Sequence, residues 1–446
     1  VKTNYNDQRK QELREALERH RVWRAEVVDK AVLQKRCVKS FTKAEFYRTW
    51  KHARAINARV DESKVLFGPI FKLIEEEVFK VKHFIKHVPI DERPKYIQEM
   101  CNMVGVPTAM TDATAYESSF TPEVMSVERE LYAYMTEHLP DGREFMDAFD
   151  AIIMGDNTCW FKYFRVVIKA IRMSGEMNTS LGNGFMNLML LLFIAQELKF
   201  TVNPVVEGDD GQTIRVGEVR DEDVVDLYTR LGFNIKLEVV DSYNEGSFCG
   251  MIFDPDDLIN IGDPTKYISS FAWVGKRYIR AKKTKILALL RCKAMSLAYQ
   301  FRGAPVLGAL AQFGLNQTRH VSSMVQKMAD KLDFWEKHIL LEAMDRNPQH
   351  LYVEPPIATR LLCEKIFGVT VAHQVRLEKW YLSQDTLSNV PFGVYYPACN
   401  REDLVMWDNY VARGCCTMGR LVTGWARPAE ADEALAVFGS VNHSVV

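Results

Sequence analysis

The 446-residue chain predicts an α+β fold, mixed in its middle and mainly helical towards its C-terminus. Three observations carry that expectation. Apolar residues recur at three- and four-residue spacing in 8–36, which reads as amphipathic helix. The stretch "FTVNPVVEGDDGQTIRV" (200–216) sets two β-rich runs around a glycine-flanked turn, and from about residue 263 helical patterns dominate. A content of 47% hydrophobic and 11% aromatic residues supplies material for sizeable cores.

Along the chain, "WKHARAINARV" (50–60) is basic and β-tolerant, and "GPIFKLIEEEVFKVKHFI" (68–85) reads as helix. "NMVGVPTAMTDATAYESSF" (102–120) predicts a strand ending in a polar turn. A helix is expected over 122–138, with Thr121 as cap and Pro122 in its first turn. "WFKYFRVVIKAIRMSG" (160–175) is β-rich, and "NGFMNLMLLLFIAQEL" (183–198) is a long apolar helix. Its longest apolar run, 185–195, is far short of the ~20 residues that cross a bilayer and contains polar Asn187, so no transmembrane span is expected. Residues 221–231 read as helix, and "FNIKLEVVD" and "SFCGMIFD" read as strands.

Charge is uneven although the net formal charge is only −1. Residues 1–60 hold 16 Lys and Arg against 7 Asp and Glu, and "KRYIRAKKTK" (276–285) is a second basic block, so two regions could line one groove. Nine scattered cysteines with no CxxC pair read as buried free thiols of a reducing compartment. The ten histidines show no ligand spacing, and no Gly-x4-Gly-Lys-Ser/Thr loop is present, which excludes the simplest zinc-hydrolase and ATPase readings. The chain starts at Val1 without an apolar secretory core, as expected of a processed or excised product.

The chemistry is expected in the middle. Two adjacent carboxylates at ~4 Å repel by roughly 4 kcal/mol at an effective dielectric near 20, and solvent, a proton or a metal must offset this. Gly208 and Gly211 bend the chain so that Asp209 and Asp210 fall at a hairpin tip. Asp112 ends another strand; beside the hairpin in one sheet, it could share divalent ions with Asp209. Hard oxygen donors suit Mg²⁺ or Mn²⁺, and a two-ion clamp suits in-line phosphoryl displacement. In "RMSGEMNTSLGNG" (172–184), Ser174 and Gly175 form a turn before a helix on which Thr179 and Asn183 share a face able to read a ribose hydroxyl. The acids of "DAFD" (147–150) and "GDN" (155–157) read as solvated loops, and Trp380, Tyr381, Tyr395, Tyr396, Trp407 and Trp425 as packing aromatics.

These residues together resemble the RNA-dependent RNA polymerases of positive-strand RNA viruses, most nearly the tombusvirus-like (carmovirus-like) group. Asp112 opens its motif A, with Glu117 where the family usually has Asp; Ser174, Gly175, Thr179 and Asn183 fill motif B; Gly208, Asp209 and Asp210 complete motif C. "KHARAINAR" (51–59) is similar to the triphosphate-gripping motif F and nominates Lys51, Arg54 and Arg59. "LGFNIKLE" (231–238) resembles motif D, with Lys236 as proton donor to pyrophosphate, and "FCG" (248–250) resembles motif E.

The resemblance implies a right-hand polymerase with an antiparallel palm: fingers at 1–100, palm at 101–122, a fingers insertion at 123–171, palm again at 172–262 and a helical thumb at 263–446. It implies two Mg²⁺ or Mn²⁺ ions on Asp112, Asp209 and Asp210, with RNA template and product and ribonucleoside triphosphates as partners. A membrane-anchoring viral replication protein would complete a host-cytoplasmic replication complex. Competing readings are a reverse transcriptase or other palm-type polymerase, and a non-catalytic RNA-binding replication protein; metal-dependent incorporation and nucleotide choice separate them.

Overall fold

The computed structural model describes residues 5–26, 37–43, 52–271, 278, 280–332, 334–346 and 352–385. Two units are defined by internal packing: Val1–Lys43, His52–Val88 and Lys95–Cys249 form the first, and Ala44–Lys51, Pro89–Pro94 and Gly250–Val446 the second.

In the first unit, helices α1 (Asp7–Glu26) and α2 (Asp61–Val78) flank strands β1 (Cys37–Thr42) and β2 (Ala55–Arg59). Helix α2 begins seven residues before the predicted 68–85 and ends seven before it. Asp61 and Glu62 in its first turn oppose the positive end of the helix dipole, and Pro69 is held inside the helix. Helix α3 (Arg93–Cys101) follows. After β3 (Thr108–Ala113) come α4 (Pro122–Thr136) and α5 (Gly142–Ala148). Helix α4 starts as predicted: the Thr121 hydroxyl accepts from the Val124 N–H at 3.4 Å, and Pro122 needs no partner there.

Strands β4 (Asp156–Trp160) and β5 (Arg165–Lys169) pair with β1 and β2 in the order β2-β1-β4-β5. The β1–β4 pair is parallel and the others antiparallel. Strand β1 was not legible in the sequence. The β4–β5 turn projects outwards, with Tyr163 84% exposed. In the two acidic segments read as solvated loops, Asp147 and Asp156 are exposed as expected but lie on helix α5 and strand β4. Arg129 grips Asp150 with both arms of its guanidinium, at 2.6 and 2.7 Å, and Asn157 is buried on β4.

Helix α6 (Thr179–Glu197) then backs the hairpin of β6 (Thr201–Glu207) and β7 (Asp210–Val216), followed by α7 (Asp221–Arg230) and β8 (Ile235–Val240). These strands join β3 in an antiparallel sheet of order β6-β7-β3-β8. Helix α6 is 19 residues long and apolar enough to pass a length-and-composition test for a membrane span, but 61% of it is buried inside the protein. It works as a core helix: Leu181, Leu188, Leu191 and Ile194 join Phe67, Phe71, Tyr132, Phe145 and Phe149 in one cluster. Burying each of these side chains is worth ~1.5–3 kcal/mol, which fixes α6 against the sheet.

The second unit holds the short β9–β10 pair (Met251–Phe253 and Asn260–Gly262) and helices α8 (Pro264–Ser270), α9 (Lys283–Gln300), α10 (Leu307–Gln317), α11 (Val325–Ala329), α12 (Phe334–Asp345), α13 (Ile357–Phe367) and α14 (Val371–Ser383). Tyr381, 1% exposed, packs on Phe313 and Trp380, as expected of packing aromatics. Arg360 and Glu378 form a buried two-armed ion pair at 2.9 and 2.7 Å. Tyr395, Tyr396, Trp407 and Trp425, and residues 276, 277 and 279 of the 276–285 basic block, lie outside the described residues.

Candidate active site

Glycine starts the site. Glu207 pairs with Asp210, leaving Gly208 and Asp209 as a two-residue hairpin loop; Gly208 takes φ +63° in the first position, as a type II′ turn demands. Gly211 is equally constrained, because a Cβ there would lie 2.6 Å from Thr111 Oγ1 and 3.2 Å from Leu191 Cδ1. The hairpin therefore closes tightly on β3 and α6. Asn187 on α6 secures its tip, donating from Nδ2 to the Gly208 carbonyl at 3.2 Å.

Strand register does the rest. The β3–β7 ladder ends with Thr111 opposite Gly211, so Asp112 and Asp210 are the next residues beyond it on adjacent strands; on its other side Asp112 faces Lys236 of β8. Directly opposed residues of antiparallel strands project to the same side. Glu207 pairs with Asp210 and Asp112 with Lys236, and the two pairs adjoin just beyond the end of the β3–β7 ladder, with Asp209 at the turn. Lys236 is exposed, its Nζ 3.8 Å from Glu238.

The acids sense one another. Desolvation raises the Asp209 carboxyl above the usual range, Glu117 and Asp112 raise it further, and Arg54 opposes them. Asp210 is pushed up to about 7, first by desolvation and then by Asp209 and Asp112, while a hydrogen bond from Cys249 pulls it back. The Cys249 thiol also lies 3.5 Å from Glu207 Oε2. Among the described residues no three Asp, Glu, His or Cys side chains form a ready-made metal cage. The donor set nevertheless fits a hard divalent cation: its members are carboxylate oxygens, and their mutual repulsion is the cost that a bound cation would remove.

Motif B lies alongside. Asn183, 3% exposed, donates from Nδ2 to Glu117 Oε1 at 3.3 Å, so the motif A acid and the motif B amide meet. The longer Glu side chain reaches this partner. Ser174 and Gly175 lie against β2: Asn57 N–H donates to the Ser174 carbonyl at 2.6 Å, and Gly175 has φ +102°. The Thr179 hydroxyl is spent locally, donating to the Met173 and Glu176 carbonyls at 3.2 and 2.9 Å.

The motif F candidates divide. Arg54 is exposed and close enough to Asp209 to lower its carboxyl. Arg59 is a correction: its side chain is 1% exposed and its Nε donates to Glu176 Oε2 at 2.7 Å, so it is not presented to a triphosphate. It is the one fully buried residue of β2, held by Glu176. Lys51 lies outside the described residues. Sequence reasoning missed Asn187, Glu207 and Glu176, and it reached Cys249 only as part of the 248–250 stretch. Asn187 alone left a signal, continuing the Thr179, Asn183 spacing by four.

A four-stranded antiparallel sheet with neighbouring acids and a glycine-led acidic turn is the arrangement of a polymerase palm. Residues 57–387 match the viral RNA dependent RNA polymerase family, and the chain belongs to that family. The RNA-directed RNA polymerase of Oat chlorotic stunt virus (isolate United Kingdom) is 24% identical over 369 residues, covering 74% of this chain and 46% of that protein. The RNA-directed RNA polymerase of Panicum mosaic virus (strain United States/Kansas 109S) is 25% identical over 255 residues, covering 53% of this chain and 25% of that protein. The chain thus spans less than half the length of these curated relatives. Its fold is similar to the crystal structure of an insertion-loop deletion mutant of the RNA-dependent RNA polymerase of a human picobirnavirus, with TM-score 0.52, 13% identity, and coverage of 70% of this chain and 64% of that one. Dependence on divalent metal and use of RNA and nucleoside triphosphates are general properties of the family.

Proposed function

We propose that this chain copies an RNA template by adding ribonucleoside triphosphates to an RNA 3′-hydroxyl, for viral genome replication and transcription. The observation that carries this reading is the β3–β7 register, which ends one residue before Asp112 and Asp210 and leaves both next to Asp209 at the turn, close enough for Asp112 to raise both carboxyls. Asp112, Asp209 and Asp210 would hold Mg²⁺ or Mn²⁺, which would lower the pKa of the attacking hydroxyl and offset charge on the leaving pyrophosphate. Arg54 draws the triphosphate towards these acids, together with Lys51. Asn183, held by Glu117, presents its amide to the ribose 2′-hydroxyl beside Ser174 and Gly175. Lys236, the cross-strand neighbour of Asp112, supplies a proton to pyrophosphate.

In this reading residues 1–100 and 123–171 act as fingers, 101–122 and 172–262 as palm, and 263–446 as thumb. The chain works in the host cytoplasm, recruited to membranes by a viral replication protein.

The test is RNA-templated incorporation of ribonucleotides against deoxyribonucleotides, with Mg²⁺ or Mn²⁺, for the chain and its Asp209→Ala variant. Ribonucleotide-selective synthesis lost in the variant supports the reading. A deoxyribonucleotide preference points to a reverse transcriptase, and no synthesis from folded, RNA-bound chain overturns it.

A further inference from the structure

The segment joining β5 to α6 carries three ionic or amide side chains that are all buried: Arg172, Glu176 and Asn178 at 3%, 6% and 1% exposure. Burying charge is costly, and an opposite charge or amide alongside offsets part of that cost. Each has such a partner here, drawn from two different elements, while Arg59 Nη1 and Nη2, Glu176 Oε1 and the Arg172 guanidinium nitrogens have no hydrogen-bond partner.

On one side, Glu176 accepts from Arg59 Nε at 2.7 Å, with both side chains 1% exposed. Arg59 ends β2, the strand that follows Arg54. The same strand touches the loop twice more. The Asn57 N–H donates to the Ser174 carbonyl at 2.6 Å, and a Cβ at Gly175 would lie 3.0 Å from Ile56 Cγ2. Ser40 on β1 in turn donates to the Asn57 side chain at 2.6 Å.

On the other side, Arg172 makes a fully buried ion pair with Glu128 of α4 and lies 5.0 Å from the centre of the Phe120 ring. Asn178 donates to Glu128 Oε1 at 2.8 Å and to the Tyr132 hydroxyl at 2.9 Å. The loop is therefore strung between β2 and α4 by two ion pairs with no solvent between them, and Ser174 and Gly175 sit at its crest.

We infer that Glu176 is a positioning residue that locks β2 to the Ser174–Gly175 loop, so that the strand presenting Arg54 to the triphosphate and the loop facing the ribose move as one unit. The inference rests on the polymerase reading above. Removing the Glu176 charge frees the loop from β2 while leaving Asp112, Asp209 and Asp210 untouched. Triphosphate affinity and sugar discrimination then fall together, and the chemical step of nucleotides that do bind is largely spared.

The experiment measures single-nucleotide incorporation on an RNA primer-template by the full chain, its Glu176→Gln variant and a Glu378→Gln control. The control breaks a comparably buried pair, Arg360–Glu378, in the second unit. Glu176→Gln is expected to raise KM for the ribonucleotide at least tenfold and to cut ribonucleotide over deoxyribonucleotide preference at least tenfold, with kcat within about threefold. Glu378→Gln is expected to lower the melting temperature without moving either quantity. Unchanged KM and preference in folded Glu176→Gln, or equal changes in both variants, overturn the inference. If Glu176→Gln does not fold, the double variant Arg59→Met, Glu176→Met replaces the pair by apolar volume; the same losses support the inference and wild-type values overturn it. Absence of synthesis by the wild-type chain would instead sink the polymerase reading itself.

Discussion

Asp112 and Lys236 stand directly opposite one another on adjacent antiparallel strands, β3 and β8. The pairing puts an exposed ammonium beside the acid that would hold metal, on the face where pyrophosphate would leave. Lys236→Met is expected to lower kcat by ~10²-fold, the lower end for loss of a general acid, with little change in KM. Lys236→Arg, which keeps the charge but parts with its proton far less readily, is expected to recover only part of that rate. Pre-steady-state incorporation separates the two; full activity in Lys236→Met would remove the residue from the chemistry.

Asn187 holds the acidic turn from beneath through Gly208. Asn187→Leu removes that donor and is expected to cost about 1 kcal/mol of stability, read as a lower melting temperature, together with a clear loss of incorporation. Unaltered activity would mean that Gly208 and Gly211 shape the turn unaided.

Gly182 on α6 has no room for a methyl group. A Cβ there would stand 2.2 Å from Arg172 Nη2 and 2.2 Å from Glu128 Oε1, both locked in a buried ion pair. Gly182→Ala is expected to destabilise by roughly 3 kcal/mol, as overpacking that also splits a buried pair does, despite the better helix propensity of alanine. Denaturant unfolding measures it, and a neutral or stabilised variant would show that the pair moves aside.

The Arg9–Asp61 pair links α1 to α2 through hydrogen bonds at 2.7 and 2.6 Å. The Arg9 guanidinium holds the Asp61 carboxyl down at about 2. A lowered folded-state pKa contributes stability above the ordinary value near 3.8, and that stability is lost as pH falls through about 2. Asp61→Asn is accordingly expected to be less stable than the wild type at neutral pH by about 1 kcal/mol, with the difference closing in acid. Equal stability of the two proteins at neutral pH would show that the pair contributes nothing.

The acidic turn was legible because its signal is local: a glycine, two aspartates and flanking β-rich runs specify a hairpin without reference to the rest of the chain. Helix α4 was legible for the same reason, through Thr121 and Pro122. Helix α6 was legible in two parts, an apolar run from 183 and the Thr179–Asn183 face before it, which the structure joins into one helix, Thr179–Glu197. Arg59 marks the limit. Its charge and its place in a basic stretch point to phosphate, whereas its fate is decided by Glu176, 117 positions away. Strand β1 was invisible on similar grounds, since "CVKSFT" becomes a strand by pairing with β2 and β4.

The outward turn between β4 and β5 offers a different kind of use. Phe161 and Phe164 stack at 4.6 Å and their backbones are joined by a hydrogen bond of 2.9 Å, so the turn is closed at its base while Tyr163 projects at its tip. An insertion between Lys162 and Tyr163 lengthens the tip without shifting the register of any strand in the sheet that bears Asp112. A peptide tag or fluorophore carried there would report on the protein's whereabouts and encounters while leaving its catalytic alignment intact.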